Sequence, residues 1–136
     1  MREIRIQQEI VVRATNEIGT MARMIRVLSD MGINLLSVVV KTDGAETAIH
    51  LITSSQSFAR DALRKADFIV EEREVLVVEL PHHPGFLCRV TEALARKGIG
   101  IDELYATVPL ESTTGLVVLT CSDNELALQE LRPHCH

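Results

Sequence analysis

Two stretches, NEIGTMARMIRVLSDMGINL at residues 16–35 and HHPGFLCRVTEALARKGIGI at residues 82–101, decide the fold when one is laid over the other. Gly19 falls on Gly85 and Gly32 on Gly98, both at a spacing of 66 (85 − 19 and 98 − 32). Apolar positions coincide as well: Met21 with Leu87, Met24 with Val90, Leu28 with Leu94, Ile33 with Ile99, and Leu35 with Ile101. Their steps of three and four residues turn one helical face to a core and leave the other wet. Upstream, Ile10-Val11-Val12 matches Leu76-Val77-Val78. The chain is an internal duplication.

Each copy reads as strand, helix, strand, strand, helix. In the first, Glu9 to Ala14 is a β-branched run, Gly19 to Met31 a helix closed by Gly32, and Asn34 to Lys41 a strand. Asp43-Gly44 signals a hairpin into a strand over Thr47 to Thr53. Ser57 is placed to cap a helix over Ala59 to Ala66, and Phe68 to Glu71 follows as a fourth strand. The second copy runs Val75 to Leu80, Gly85 to Lys97, Ile99 to Val108, Gly115 to Cys121 and Glu125 to Leu131, with Ser122 and Glu125 spaced as a capping box. The order βαββαβ is the split ferredoxin-like unit. The expected fold is thus α+β: two tandem domains, residues 1–72 and 73–136, each an antiparallel sheet with its helices on one face.

Only Arg132 to His136 follow Leu131, so the second copy is expected to have a truncated or missing fourth strand. Something must cover that edge, and the N-terminal Ile4-Arg5-Ile6 is one candidate. Val38 to Val40, Val75 to Val78 and Leu116 to Leu119 are continuously apolar, which implies that the sheet face away from the helices is covered too. A repeat of about 66 residues also lies below the ~70–80 where a lone core suffices. Both features point to packing of the two copies and to a homodimer.

Composition excludes several classes. With 46% hydrophobic and 24% charged residues the chain is globular. Aromatics at 3% without Trp offer no stacking platform for single-stranded nucleic acid, and a net charge of −5 opposes a phosphate backbone. No apolar run approaches the ~20 residues that span a bilayer, and the alternating, charged N-terminus is not a signal peptide. Three dispersed cysteines without a CxxC suit a reducing cytoplasm, the expected location.

A strand, a loop ending in x-Gly or Pro-Gly, a helix, then Gly-Ile-x-Leu/Ile resembles the ACT domain. Asn16-Glu17-Ile18-Gly19 with Gly32 to Leu35, and His82-His83-Pro84-Gly85 with Gly98 to Ile101, both carry the pattern. Nearly the whole chain is similar to small free-standing tandem ACT proteins. The resemblance implies regulatory binding of a small ligand, typically an amino acid, where the loop of one domain meets the second strand of a neighbour. It places the contacts at Asn16, Glu17, Ile18, Gly19, Thr20 and Met21 with Asn34 and Leu35, and at His83, Pro84, Gly85, Phe86 and Leu87 with Asp102. There is a physical reason for this choice. First-turn N–H groups lack intrahelical partners and favour a carboxylate, and glycine lets the backbone approach it. The copies differ: Ile18 replaces the usual Pro in the first, and Gly100 stands where the first has Asn34. If one loop binds, the first has more side chains for a zwitterion. The alternative for each glycine is a turn and a helix cap, nothing more.

Sharper chemistry finds less support. His82 and His83 point to opposite sides of an extended loop, and His134, Cys135 and His136 sit in a tail with no frame, so no metal or cofactor is expected. Cys88 aligns with Ala22 and is expected to be buried against the sheet; Cys121 reads as core. Acids do not cluster, and a Ser-His-Asp order, a phosphate-cradling glycine loop and an HExxH motif are missing. The sequence therefore points to a non-catalytic sensor that modulates a partner, by analogy an enzyme of amino-acid metabolism. The alternative is a ligand-free dimerisation module.

Overall fold

The computed structural model describes residues 3–81, 85–107 and 114–134. Along the chain run β1 (Glu3–Thr15), α1 (Thr20–Asp30), β2 (Leu35–Asp43), β3 (Glu46–Thr53), α2 (Gln56–Lys65), β4 (Ile69–Pro81), α3 (Phe86–Arg96), β5 (Ile101–Thr107), β6 (Thr114–Cys121) and α4 (Asn124–Leu131). The fold is α+β, with six antiparallel strands and four helices among the described residues.

Two units emerge: residues 8–73, and residues 74–136 joined by the N-terminal 1–7. In the first unit the strand order is β2-β3-β1-β4, the ferredoxin-like arrangement. In the second it is β5-β6-β4-β1. The strand expected over Phe68 to Glu71 and the one expected over Val75 to Leu80 are a single thirteen-residue strand. Ile4-Arg5-Ile6 is likewise continuous with Glu9 to Ala14. Leu131 is followed by one 3-10 turn, Arg132–His134, and the strand beside β4 in the second unit is the N-terminal part of β1. Ile4 is buried there with Leu76, Val78, Leu80 and Leu119.

Both units repeat one register. Ile10 pairs with Leu51 as Leu76 pairs with Leu119, and Val38 with Leu51 as Leu104 with Leu119. Even the irregularity recurs, between Leu35 and Ser37 and between Ile101 and Glu103. The spacing is 66 up to the second strand (101 − 35) and 68 after it (121 − 53), because the connection between second and third strands is two residues longer in the second copy. The first core gathers Ile10, Val12, Met24, Leu28, Ile33, Ile49, Leu51 and Leu63. The second places Leu76, Val78, Val90, Leu94, Ile99, Val117, Leu119 and Leu131 at matching positions.

Helix ends are set by backbone bonds. At the end of α1, Ile33 N–H donates to the Leu28 carbonyl and Gly32 N–H to that of Ser29, each at 3.0 Å. The same pair closes α3 through Ile99 and Gly98. These are the crossed bonds of a Schellman cap. Helix starts differ from expectation. α2 begins at Gln56, so Ser57 lies inside it rather than capping it. In α4 the cap is Asp123, whose carboxylate accepts from Leu126 N–H at 3.0 Å; Ser122 is instead committed to Gly100.

The alternate residues of the first sheet face away from its helices. There Glu9, Val11, His50, Ile52 and Ser37 are buried. In the second unit so are Val75, Val77 and Val118. Of the three continuous apolar runs, the one over Val75 to Val78 is buried throughout, whereas Val38 and Val40 of the first unit are exposed.

If the N-terminal segment completes the second unit, Ile4→Ala should destabilise it by ~2–4 kcal/mol. Hydrogen exchange would check this: protection should fall in β6 and the second half of β4, and persist in β2 and β3.

Candidate functional site

The loop between β1 and α1 is shaped by its backbone. Asn16 N–H donates to the Ala45 carbonyl at 2.6 Å, tying the loop to the β2–β3 hairpin, and Glu17 N–H donates to the Thr15 carbonyl at 2.8 Å. The Glu17 carboxylate accepts from the Thr15 hydroxyl at 2.8 Å. Gly19 then turns the chain into α1 with φ 92°, in the left-handed region that a side chain resists. Gly85 does the same before α3 with φ 99°. A Cβ would meet nothing within 4 Å at either position, so the requirement lies in the backbone.

No side chain caps α1. The N–H groups of Met21 and Ala22 donate to nothing among the described residues, and Arg23 N–H is the first to join the helix ladder, to the Gly19 carbonyl. Thr20 is half-buried, Met21 packs against the first core, and Asn16 and Glu17 are exposed. Ile18 is fully exposed, with a relative accessibility of 108%. An open, partly positive helix start ringed by polar and apolar groups suits a small anion with an apolar portion.

Asn34 and Leu35 lie elsewhere. They open β2 after the end of α1, and the eleven residues of that helix, ~16 Å of rise, separate them from the loop. Asn34 N–H donates to Ser54 Oγ at 3.1 Å and its carbonyl accepts from Ser54 N–H at 2.9 Å, leaving its side-chain amide unengaged among the described residues. Asn34 and Leu35 line a cleft of about 260 Å³ with Ile25, Leu28, Ser29, Gly32 and Ile33. Within one unit, then, the loop and Asn34 are not brought together.

In the second unit Phe86 is half-buried against its core, and Leu87 and Asp102 are exposed. Gly100 and Ser122 reproduce the two bonds of Asn34 and Ser54, at 3.0 and 2.9 Å. His83 and Pro84 lie outside the described residues, as do His82, Cys135 and His136.

Sequence reasoning missed one repeated device. The Gln56 side chain accepts from Thr53 N–H at 2.9 Å and donates to the carbonyls of Gln8 and Leu51 at 2.6 and 3.2 Å. In the second unit Asn124 accepts from Cys121 N–H at 2.9 Å and donates to the Glu74 carbonyl at 3.4 Å. An amide at the helix start locks strand ends together in both copies. The signal was there, as Gln56 and Asn124 stand 68 apart (124 − 56), behind the change of spacing.

Cys88 is exposed, contrary to the expectation of burial, because it lies on the outer face of α3. Its thiol donates to Glu92 Oε1 at 3.4 Å, and that carboxylate pushes the thiol above its ordinary range. Cys121 is buried, and burial together with the charge of Asp102 pushes its thiol up as well.

With this geometry in hand, the profile of the ACT domain pair family matches residues 4–131. The chain belongs to the ACT domain pair family. A search of the curated proteins finds no match. Among solved structures, protein BT0572 from Bacteroides thetaiotaomicron superposes with a TM-score of 0.88 at 21% identity, over 96% of this chain and 90% of that one. The regulatory subunit of aspartate kinase from Thermus thermophilus, in ligand-free form, gives 0.64 at 15% identity over 95% and 96% of the two chains. That from Thermus flavus gives 0.59 at 16% over 95% and 92%. At these identities the likeness is one of fold. As an ACT pair, the chain carries the loop–glycine–helix element twice.

Two outcomes follow. Gly19→Ala should lose ~1–2 kcal/mol in urea denaturation through strain alone, since no neighbour obstructs the methyl group. Glu92→Ala removes the hydrogen bond and the charge that raise the Cys88 thiol, so more thiolate is present at pH 8 and alkylation of Cys88, followed by peptide mass spectrometry, should be a few-fold faster.

Proposed function

We propose that the protein is a non-catalytic regulatory sensor that binds a small amino acid and modulates a partner protein. The observation that carries this reading is the open start of α1: Gly19 in a left-handed turn, Met21 and Ala22 amides unengaged among the described residues, and a wholly exposed Ile18. A ligand carboxylate is received by the amides, its ammonium by a polar side chain such as Asn34, and its side chain by the aliphatic groups nearby. Because the loop and Asn34 stand ~16 Å apart along one helix, this reading requires the loop of one copy to meet Asn34 of another, and the proposal includes a homodimer. The first unit is favoured over the second because Gly100 offers no side chain where Asn34 does. No cofactor takes part.

Family membership supports a regulatory role, and the two Thermus structures of the same fold are themselves regulatory subunits of aspartate kinase. On that ground the partner is proposed to be an enzyme of amino-acid metabolism, in the cytoplasm. Among the described residues no helix is long and apolar enough to cross a membrane. Binding shifts the population of domain arrangements, and the partner reads that shift.

One observation favours a second reading, a ligand-free dimerisation module. β2 is an edge strand with Leu36, Val38 and Val40 all exposed. Thermal unfolding against a panel of amino acids separates the two. A ligand at 100 times its dissociation constant should stabilise the fold by ~2.7 kcal/mol, and Gly19→Ala and Asn34→Ala should each remove most of the shift. No shift with any amino acid, in a chain that is dimeric by sedimentation, sinks the sensor and leaves the module.

A further inference from the structure

The first unit buries a pair of ionisable residues where its duplicate has valines. Glu9 is wholly buried and His50 is 4% exposed, with Nδ1 of His50 2.7 Å from Glu9 Oε1. Arg73 Nε lies 3.2 Å from the same oxygen. Val11 stands directly opposite His50, so Glu9 on β1 is the diagonal neighbour of His50 on β3. The matching registers assign the counterparts without ambiguity: Val75 for Glu9 (75 − 9 = 66) and Val118 for His50 (118 − 50 = 68). Those valines are buried too, at 0% and 1%. The fold therefore accepts a plain apolar pair at this place, and packing alone does not call for the cluster.

A duplicated chain has a problem that a single domain lacks. Ile10-Val11-Val12 on β1 and Leu76-Val77-Val78 on β4 present nearly the same surface, and each could add to either β3 or β6 in the same register. Apolar contacts discriminate poorly between such swaps, since cores tolerate volume-conserving exchanges. A buried charge discriminates strongly. With β1 on β6, Glu9 would face Val118; with β4 on β3, His50 would face Val75. Either swap buries an ionisable group beside an alkyl one. We propose that the buried Glu9–His50 pair, with the half-buried Arg73 beside it, is a strand-pairing code that makes β1 select β3 over β6 as this duplicated chain folds. The role is one of exclusion, and it is independent of ligand binding.

The test compares refolding with stability. Wild type, unfolded in urea and diluted under reducing conditions, should return to one native species by two-dimensional amide spectra and size exclusion. In E9V/H50V, which copies the second unit, the refolded native fraction should fall by about threefold or more, with a misfolded monomer or exchanged dimer in its place. Native E9V/H50V purified without unfolding should be as stable as wild type or more so. E9Q/H50Q keeps a mutually hydrogen-bonding pair and should refold as wild type does. The proposal is overturned if E9V/H50V refolds to a single species in wild-type yield, or never gives a native chain. It is overturned equally if E9V/H50V loses stability without a second species, or if E9Q/H50Q misfolds as much as E9V/H50V.

Discussion

An open strand edge is the constraint on which the molecule turns. A run of unpaired N–H and C=O groups must find partners, from water, from another chain or from its own. In each unit the leading strand takes the third strand on one side, β3 beside β1 and β6 beside β4. Its other side is filled by the remaining long strand: residues 69–73 of β4 in the first unit, residues 3–7 of β1 in the second. Each thirteen-residue strand thus serves both units, as a leading strand along one part and a closing strand along the other.

That arrangement explains where the sequence could be read and where it could not. Helices α1 and α3, their glycine ends and the Asp43-Gly44 hairpin were legible because local backbone geometry dictates them. The N-terminal Ile4 could only be suspected: its role depends on a partner some seventy residues away, as with Leu76. The start of α4 is not legible locally because Ser122 and Asp123 are both good caps, and a distant bond, Gly100 N–H to Ser122 Oγ, decides between them. Alignment with Ala22 does not imply close packing of Cys88, because both positions lie on exposed helix faces.

The candidate site divides in the same way. Gly19 and Gly85 could be found from spacing, and their backbone angles follow from the turn they make. That Asn34 lies a full helix away from Asn16 also follows from the sequence, by counting. What no count reveals is the reach of the β2–β3 hairpin back to Asn16, or the amides of Gln56 and Asn124 binding strand ends together. These are tertiary hydrogen bonds between residues of unremarkable type, and only coordinates disclose them.

Ile18, standing free in solvent, leaves its mark on the calorimetry of whatever comes to rest on it. Apolar surface withdrawn from water lowers the heat capacity of a complex, whichever sign the enthalpy takes at one temperature. An occupant that covers this isoleucine will therefore bind with an enthalpy that grows more negative on warming. One held by the polar backbone alone will show a much flatter trend.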